Sequence, residues 1–401
     1  MQLDDFIEDF QRDEAAEKRR LAEQKSYEIT DYLDEVEREF QQAVSGDSLF
    51  GATAPEIFVG RSSYPNVSTG VLSPVTDGDA ADFATSGEWY QQGLGVSDVL
   101  QRRTGLLNST RSANVDVRDV WDGFVGVQRE VAIADHPVDV EVGLDSEPEI
   151  DLSLDDVGAP TGPRASAESA DLAENPHVPR PVEKTLEDDD WQAEGAMTYL
   201  YRRGLGRGRD RRLVPTRWSI TAVDDTVGQY LRGGIRNAST LSETEVWYNE
   251  YMGNRYWIVL TPGQWEFELV EMKAPDSVWN PAGEAYYLAS AHEGYEGRTG
   301  YVEETAGAYY ASRLGVLEHL HDRDRQAKCL VLREVTDDYW APVGVWQVRE
   351  GVRNAFEDQH GETETFRAAI TGVTEQLPVS LGALRRKSEL VAGLQAKLSD
   401  F

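Results

Sequence analysis

Three runs of β-branched and aromatic residues follow one another between residues 244 and 273, and they constrain the fold more than any other feature of the chain. The runs are TEVWYNEYM, RYWIVLTP and WEFELVEM, with turn sequences at Gly253-Asn254 and Pro262-Gly263 between them. Strand-forming residues joined by short turns that contain glycine or proline are typical of antiparallel strands. The sequence therefore predicts an antiparallel meander over this region.

Strand-like and helix-like patterns are segregated along the rest of the chain. Strands are predicted at 123–134, 138–144, 328–335 and 342–348, and helices at about 1–44, 190–204, 306–322, 349–358, 362–374 and 383–398. The helix at 306–322 is predicted to be amphipathic, because its apolar residues recur at helical spacing. Since strands and helices do not alternate regularly, the predicted fold class is α+β: a helical N-terminus, mixed or antiparallel sheets with packed helices, and C-terminal helices that end in a mobile tail.

A stretch rich in Pro, Ser, Ala and acidic residues, 145–185, predicts a long surface connection at a domain boundary. The predicted organisation is an N-terminal helical segment at 1–45, a first domain at 46–185, an α+β domain at 186–380, and a C-terminal helix with its tail at 381–401.

The charge of the chain points to its solvent. There are 72 acidic and 39 basic residues, a formal net charge of −33, and few of the basic residues are lysine. Dispersed carboxylates with little lysine predict a halophilic protein, since molar salt shortens the Debye length to about 3 Å and so screens the repulsion between them. The single cysteine, Cys329, excludes disulfides and a thiolate metal site. With no recognisable signal or membrane segment, we expect a soluble cytoplasmic protein. We also expect no metal or cofactor, except Mg²⁺ under the nuclease alternative described below.

Six arginines in eleven residues reverse the sign of the charge locally, in RRGLGRGRDRR at 202–212. The candidate residues are Arg202, Arg203, Arg207, Arg209, Arg211, Arg212 and, just beyond, Arg217. Guanidinium groups bind phosphates through two parallel hydrogen bonds, so a glycine-spaced arginine loop predicts contact with a nucleic-acid backbone. Ion pairs with the protein's own carboxylates explain the cluster equally well.

A tyrosine-rich segment follows the predicted meander. Its rings are Tyr286, Tyr287, Tyr295, Tyr301, Tyr309 and Tyr310, with Arg298 among them. Such rings can stack on unpaired bases, and stacking resists salt better than phosphate contacts do. Rings of this kind more often belong to a core or a sheet edge, and both interpretations stay open.

Glu271 and Lys273 are the best candidates for catalysis. On a strand they share one face, where they continue an apolar row. In metal-dependent nucleases a Glu-x-Lys pair holds Mg²⁺ and positions the attacking water. The carboxylates that could complete such a site are Asp224, Asp225 and Glu250. A salt bridge at the end of a strand is the commoner explanation of the pair.

Four long and unusual segments carry a resemblance to a known family. They are FVGRSSYPNVSTGVL (58–72), PRPVEKTLEDDDWQAEGAM (179–197), LVPTRWSITAVDD (213–225) and GVWQVREGVR (344–353). With them the chain resembles the archaeal Nre family of DNA repair proteins, of the NreA type, from about residue 50 onward. The resemblance implies a role in DNA damage repair and association with the replication sliding clamp, PCNA, through a C-terminal PIP motif. It brings no settled enzymatic activity.

The first of these segments predicts a strand that ends in a glycine turn exposing Arg61 and Tyr64. This turn is either a ligand-facing loop or a packed corner.

The final residues of the sequence, LQAKLSDF, match the PIP pattern Gln-x-x-aliphatic-x-x-aromatic at Gln395, Leu398 and Phe401. Leu398 and Phe401 are three residues apart, so one helical turn places both on one side as a plug for an apolar pocket. The preceding segment, TEQLPVS, predicts a hinge that lets the tail reach a partner. The usual motif has two adjacent aromatic residues, and a helix that folds back to bury Phe401 is the alternative.

These observations favour a DNA repair factor that is recruited by the clamp and contacts DNA. The alternatives are a Mg²⁺-dependent nuclease that uses Glu271 and Lys273, and a non-catalytic adaptor in repair.

Overall fold

The computed structural model describes most of the chain, in two compact units. The described residues are 48–53, 57–60, 63–74, 79–83, 87–115, 123–133, 137–145, 164–172, 216–280, 283–302 and 304–394. The first unit holds the described residues up to 227, and the second holds residues 228–394. The predicted helices at 1–44 and 190–204 lie outside the described residues.

The first unit is built on a six-stranded sheet in the order β1-β5-β6-β4-β3-β2. The strands are β1 (Ser48–Thr53), β2 (Ile57–Val59), β3 (Asn66–Pro74), β4 (Leu106–Asn114), β5 (Val138–Leu144) and β6 (Arg164–Leu172). Strands β4 and β6 pair in parallel, and the other neighbours pair antiparallel. The helices are α1 (Glu88–Gln91), α2 (Val96–Thr104) and α3 (Gly123–Ile133), with a 3₁₀ turn at Ala80–Phe83. The strand predicted at 138–144 is confirmed as β5.

The strand predicted at 123–134 is wrong, because this segment forms helix α3. Phe124, Gln128 and Val131 are buried at a spacing of four and three residues, which is the helical period. Phe124 and Val131 join the aliphatic core over the sheet, and Gln128 accepts a hydrogen bond of 2.8 Å from the Thr69 hydroxyl. The β-branched residues suggest a strand, but packing against the sheet decides for the helix.

The connection predicted over 145–185 is interrupted by strand β6, so it is not loop throughout. Ala165, Ala167 and Ala170 of β6 are buried in the core of the first unit. Alanine is a weak strand signal in the sequence, yet its small side chain fits a strand enclosed between β4 and β5. Residues 146–163 and 173–185 lie outside the described part of the chain.

The second unit contains a six-stranded sheet in the order β11-β10-β13-β9-β8-β14. Its strands are β8 (Thr244–Tyr251), β9 (Asn254–Thr261), β10 (Glu266–Lys273), β11 (Tyr287–Glu293), β13 (Lys328–Val335) and β14 (Gln359–Thr363), while β7 (Ser239–Thr240) and β12 (Arg325–Gln326) form a separate pair. The helices are α4 (Thr216–Ile235), within which the two units divide, α5 (Ala306–Asp322), α6 (Trp346–Ala355), α7 (Phe366–Thr374), α8 (Leu381–Lys387) and α9 (Glu389–Ala392).

The predicted meander is correct for its first two strands and wrong for the third. Strands β8 and β9 pair antiparallel around Gly253, whose φ of +67° suits the tight turn. Strand β10 does not pair with β9, because β13 lies between them and runs parallel to β10. The continuous apolar run of β13 requires burial on both faces, which a central position in the sheet provides.

Two helices of the second unit differ from their predictions. Helix α5 is confirmed over 306–322, but it is not amphipathic, since Ser312, Arg313 and Val316 are buried as well as its apolar stripe. The strand predicted at 342–348 is wrong, because Trp346 begins helix α6. The helix buries Val348 and Val352, one turn apart, and Gly351 lets it approach the Tyr256 ring closely.

The C-terminal helices also differ from the prediction. The helix predicted at 383–398 is interrupted at Ser388, whose extended backbone ends α8 and caps α9. The Glu268 carboxylate on β10 accepts hydrogen bonds from the Ser388 hydroxyl and from the amides of Glu389 and Leu390, at 2.7 to 3.0 Å. This carboxylate stabilises a second helix start, and so the chain turns there.

Each face of the second sheet is covered by its own helices. Side chains of Phe267, Leu269 and Glu271 point to one side of β10, and those of Glu268, Val270 and Met272 point to the other. Helices α5 and α6 cover the first side, which we call the α5 face, where Phe267 packs edge-on against Tyr309 of α5. Helices α7 to α9 cover the second side, the α7 face, whose core includes Val270 and Met272.

The predicted α+β class is confirmed. No helix in the described part of the chain is long and apolar enough to span a lipid bilayer.

Candidate functional site

The proposed catalytic pair lies on strand β10 of the α5 face, as predicted. Arg333 of β13 is directly opposite Glu271 in the register and donates a hydrogen bond to its Oε1 atom. The Lys273 ammonium lies 3.6 Å from Oε2. Arg333 is held in turn by Asn254, whose Oδ1 atom accepts from two of its nitrogens at 3.0 and 2.7 Å. Each oxygen of the Glu271 carboxylate therefore faces a cation of the protein.

Glu250, one of the carboxylates expected to complete a metal site, lies on the opposite face of the sheet from Glu271. Glu250 is opposite Arg255 in the register of β8 and β9, and Arg255 is opposite Glu334 in that of β9 and β13, which places all three on the α7 face. Asp224 and Asp225 are on α4 in the first unit. Among the residues that the structure describes, no group of three or more His, Cys, Asp or Glu side chains could hold a metal ion.

Glu250 belongs to a polar cluster at the end of the α7 face. Its carboxylate lies 3.3 Å from Arg255 and accepts a 2.8 Å hydrogen bond from the Tyr248 hydroxyl. The Tyr286 hydroxyl donates to Glu334 at 2.9 Å. Burial, with the hydrogen bond to a carboxylate, raises the pKa of both tyrosines to about 12. Both phenols therefore remain donors that fix the carboxylates.

The structure separates the six tyrosines into three groups. Tyr309 and Tyr310 of α5 are buried, and Tyr286 is half-buried on Glu334. Tyr295 is covered by Arg236, whose guanidinium carbon lies 4.6 Å from the ring centroid. Tyr287 and Tyr301 are the exposed members, and Tyr301 is 61% accessible. Stacking on an unpaired base is therefore open to these two rings.

A small pocket that the sequence reasoning missed lies at the C-terminal end of α4. One wall consists of Gln229, Arg232, Gly233 and Arg236. The other wall consists of Trp265, just before β10, and Tyr295, just after β11. The four residues of the first wall follow the spacing i, i+3, i+4, i+7, which places them on one helix face. In the sequence, the only sign of this wall is that Arg232 and Arg236 are four residues apart, one helical turn.

The chain is anchored on the second sheet as far as residue 394. Leu384 and Val391 are fully buried in the α7 face, and Leu377 and Val379 of the predicted hinge pack against the same core. These partly buried contacts favour an anchored segment over the hinge predicted before the C-terminal helices. The Leu394 carbonyl accepts a hydrogen bond from Arg367 of α7. The PIP residues Gln395, Leu398 and Phe401 lie outside the described residues.

The remaining candidate residues from the sequence are Tyr64, Arg61 and the arginines between 202 and 217. Tyr64 is half-buried and packs against the core of the first unit, which is the packed corner that the sequence left open. Arg61 and the arginines from Arg202 to Arg212 lie outside the described residues, and Arg217 is the second residue of α4. Burial raises the pKa of the Cys329 thiol well above its usual range, so it remains protonated at neutral pH.

Two family models match the chain along nearly its whole length. The model described as archaeal Nre, N-terminal, matches residues 21–280, and the model described as archaeal Nre, C-terminal, matches residues 293–401. No solved structure is matched significantly by this chain.

Curated relatives agree with the family models. The chain is 62% identical over the full length of both proteins to a protein of Haloferax volcanii named DNA repair protein NreA. It is 34% identical to DNA repair protein NreB of Archaeoglobus fulgidus, over 90% of this chain and 93% of the relative. It is 35% identical to DNA repair protein NreA of the same organism, over 84% of this chain and 88% of the relative.

Proposed function

Because the chain belongs to the archaeal Nre family, whose relatives above are named DNA repair proteins, we propose that it is a DNA repair factor recruited to DNA by the sliding clamp PCNA. The recruiting segment is the PIP pattern at Gln395, Leu398 and Phe401. Leu398 and Phe401 fill an apolar pocket of the clamp, and Gln395 makes a hydrogen bond beside that pocket.

The anchoring of the chain at Leu394 is the observation that carries this proposal. The body of the protein fixes Leu394 through Arg367 and through contact with the α7 face. The PIP pattern starts at the next residue, so the clamp is held directly against the second unit without a long linker. A short tether restricts the distance between the two bound proteins, and this raises their effective concentration on the same DNA.

The proposed contact with DNA is the arginine loop at 202–212, together with Arg217 at the start of α4. Each guanidinium group can bind two phosphate oxygens, and this supports a nucleic-acid contact by this arginine-rich part of the sequence. The geometry around Glu271 favours a structural ion pair over the nuclease alternative, because Arg333 and Lys273 occupy its carboxylate.

Deletion of 395–401, or Phe401→Ala, should abolish binding to the clamp, as measured by calorimetry in molar KCl. An apolar contact survives salt that would screen a phosphate contact. Ser399→Ala is the matched control, because residue 399 lies within the tail but outside the pattern. Unfolding of the truncated chain should be nearly unchanged. Full clamp binding by a truncated chain that melts several degrees lower would show that the tail is part of the folded core.

Replacing Arg207, Arg209, Arg211 and Arg212 with Gln tests the DNA contact separately. The variant should bind DNA more weakly, and the dependence of its affinity on salt should be less steep, because fewer counterions are released. A lower melting temperature with unchanged DNA affinity would instead favour the adaptor, with the arginines paired inside the protein.

A further inference from the structure

The pocket at the end of α4 has the size and charge for one phosphate group. Its volume of about 40 Å³ corresponds to about three water-sized spheres, which accommodates the oxygens of a phosphate but not a nucleobase. Arg232 and Arg236 bring two guanidinium groups to it. Arginine is the preferred ligand of phosphate because its planar fork matches two oxygens.

One nitrogen of Arg232, Nη1, is buried without an acceptor among the described residues. It lies under the loop 294–301, where Gly297 has a φ of +77° and a Cβ atom would fall 1.8 Å from Nη1. A buried donor without an acceptor costs free energy, so a phosphate oxygen that accepts from it binds favourably.

Arg236 is oriented by two neighbours. Its side chain lies over Tyr295, whose hydroxyl donates to the Arg236 carbonyl at 3.1 Å, and Glu296 accepts from it at 2.8 Å. The pocket is thus formed before any ligand arrives, which lowers the entropic cost of binding.

The same loop ends in an exposed aromatic ring. Tyr301 stacks on Tyr310 with ring centroids 5.6 Å apart and is 61% accessible. Tyr310 is buried, and its hydroxyl accepts a hydrogen bond from the Val302 amide. Tyr301 follows Tyr295 by six residues, so the pocket and the exposed ring are at most about 20 Å apart along the loop. A few nucleotides of single-stranded DNA span such a distance.

We propose that this surface, formed by the end of α4 and the loop 294–301, binds unpaired DNA. Arg232 and Arg236 hold one backbone phosphate in the pocket, and a neighbouring base stacks on Tyr301. The inference rests on the proposed DNA repair function and adds a site to it that the arginine loop does not include. A duplex keeps its bases stacked on one another and cannot offer a base to Tyr301, so the surface distinguishes unpaired from paired strands.

The decisive variant is Gly233→Leu in the full chain. A Cβ atom at 233 meets nothing within 4 Å, so the added side chain enters the mouth of the pocket without displacing the fold. Gly372→Leu on α7 is the matched control, since it is also an exposed helical glycine with open space around it. Tyr301→Ala tests the stack, and Tyr301→Phe, which keeps the ring, is its control.

Fluorescence anisotropy with a labelled single-stranded oligonucleotide and a blunt duplex of the same sequence measures the effect. We expect Gly233→Leu to weaken single-strand binding at least tenfold and Tyr301→Ala about tenfold, the loss of one stacked base. Both controls should stay within twofold of the wild-type affinity. Arg232→Gln should reproduce the loss if Gly233→Leu proves unstable.

Wild-type affinity for single strands in both Gly233→Leu and Tyr301→Ala would overturn the proposal, and so would an equal loss of duplex binding in the two variants. Clamp binding is measured on the same variants. If these variants bind both the clamp and DNA normally, only the proposal for this site fails, and the recruitment proposal stands. If the tail deletion leaves clamp binding intact, the recruitment proposal fails independently of this site.

Discussion

The two faces of the second sheet differ in how they bury charged side chains. The α7 face is aliphatic, with Val259, Val270, Leu330 and Leu332 packed against α7 to α9. The α5 face buries ion pairs. Arg313 of α5 lies 2.9 Å from Glu293 of β11, with side chains 3% and 0% accessible, and Arg333 pairs with Glu271.

This difference helps to separate charged residues that stabilise the fold from those that can bind a ligand. A buried carboxylate among aliphatic residues loses its hydration, and it must find a cation or hydrogen-bond donors inside the protein. The α5 face supplies these partners from three strands and a helix, so its charges belong to the fold. On the α7 face the buried Glu268 is satisfied by the start of α9. A guanidinium nitrogen without an acceptor in the described part of the chain, Nη1 of Arg232, lies outside both faces, at the end of α4.

Arg313→Met should give the largest loss of stability, about 3–5 kcal/mol. It leaves the Glu293 carboxylate buried without its cation, while the Trp265 indole N–H still donates to the other oxygen at 2.9 Å. Urea denaturation measures the change. The double variant Glu293→Gln/Arg313→Met should recover part of the loss, because it removes both charges while the amide still accepts from Trp265. If the double variant costs the sum of the two single changes, the pair is not coupled.

His319 of α5 should make stability depend on pH. The ring stacks on Phe356 with centroids 3.9 Å apart, and burial, followed by the charge of Arg323, lowers its pKa from 6.5 to about 4. The folded state therefore disfavours the charged form. Stability should hold above pH 6.5 and fall by about 3 kcal/mol as the pH drops from 6.5 through 4.

The comparison of wild type with His319→Gln at pH 7 and pH 4 isolates this effect, since glutamine does not titrate. Leu332→Ala on the aliphatic α7 face is the contrasting control, whose cost should be the same at both values of pH. A difference between wild type and His319→Gln that does not change with pH would refute the assignment.

Glu271→Gln should lower the free energy of unfolding by about 1.5–3 kcal/mol, because Arg333 loses a charged hydrogen-bond partner. Lys273→Gln should lower the free energy of unfolding by less than about 1 kcal/mol, since its ammonium lies 3.6 Å from the Glu271 carboxylate and is partly accessible. Chemical denaturation measures both changes. The nuclease alternative would gain support if Glu271→Gln left stability unchanged and removed a Mg²⁺-dependent cleavage of DNA by the wild type.

Individual strands and helices show which parts of the fold can be predicted from the sequence. The hairpin of β8 and β9, strands β5 and β13 and helix α5 follow from local periodicity and turn residues, and all are present. Helix α3 was mistaken for a strand because its valines favour strands, and β6 was missed because alanine gives little signal. The break at Ser388 depends on Glu268, which is 120 residues away in the chain. Periodicity cannot report a capping group so distant.

The sequence by itself determined the α+β class, the resemblance to the Nre family, and the placing of Glu271 and Lys273 on one strand face. These depend on residue order, since neighbours along the chain fix the period and the pattern. Only the tertiary structure decided that β13 lies between β9 and β10, and hence that Arg333, 62 residues from Glu271, neutralises it. The same holds for the pocket of Arg232 and Arg236, whose second wall comes from Trp265 and Tyr295. Which charges meet inside the protein depends on which strands are adjacent, and strand adjacency is decided by the burial of the whole sheet.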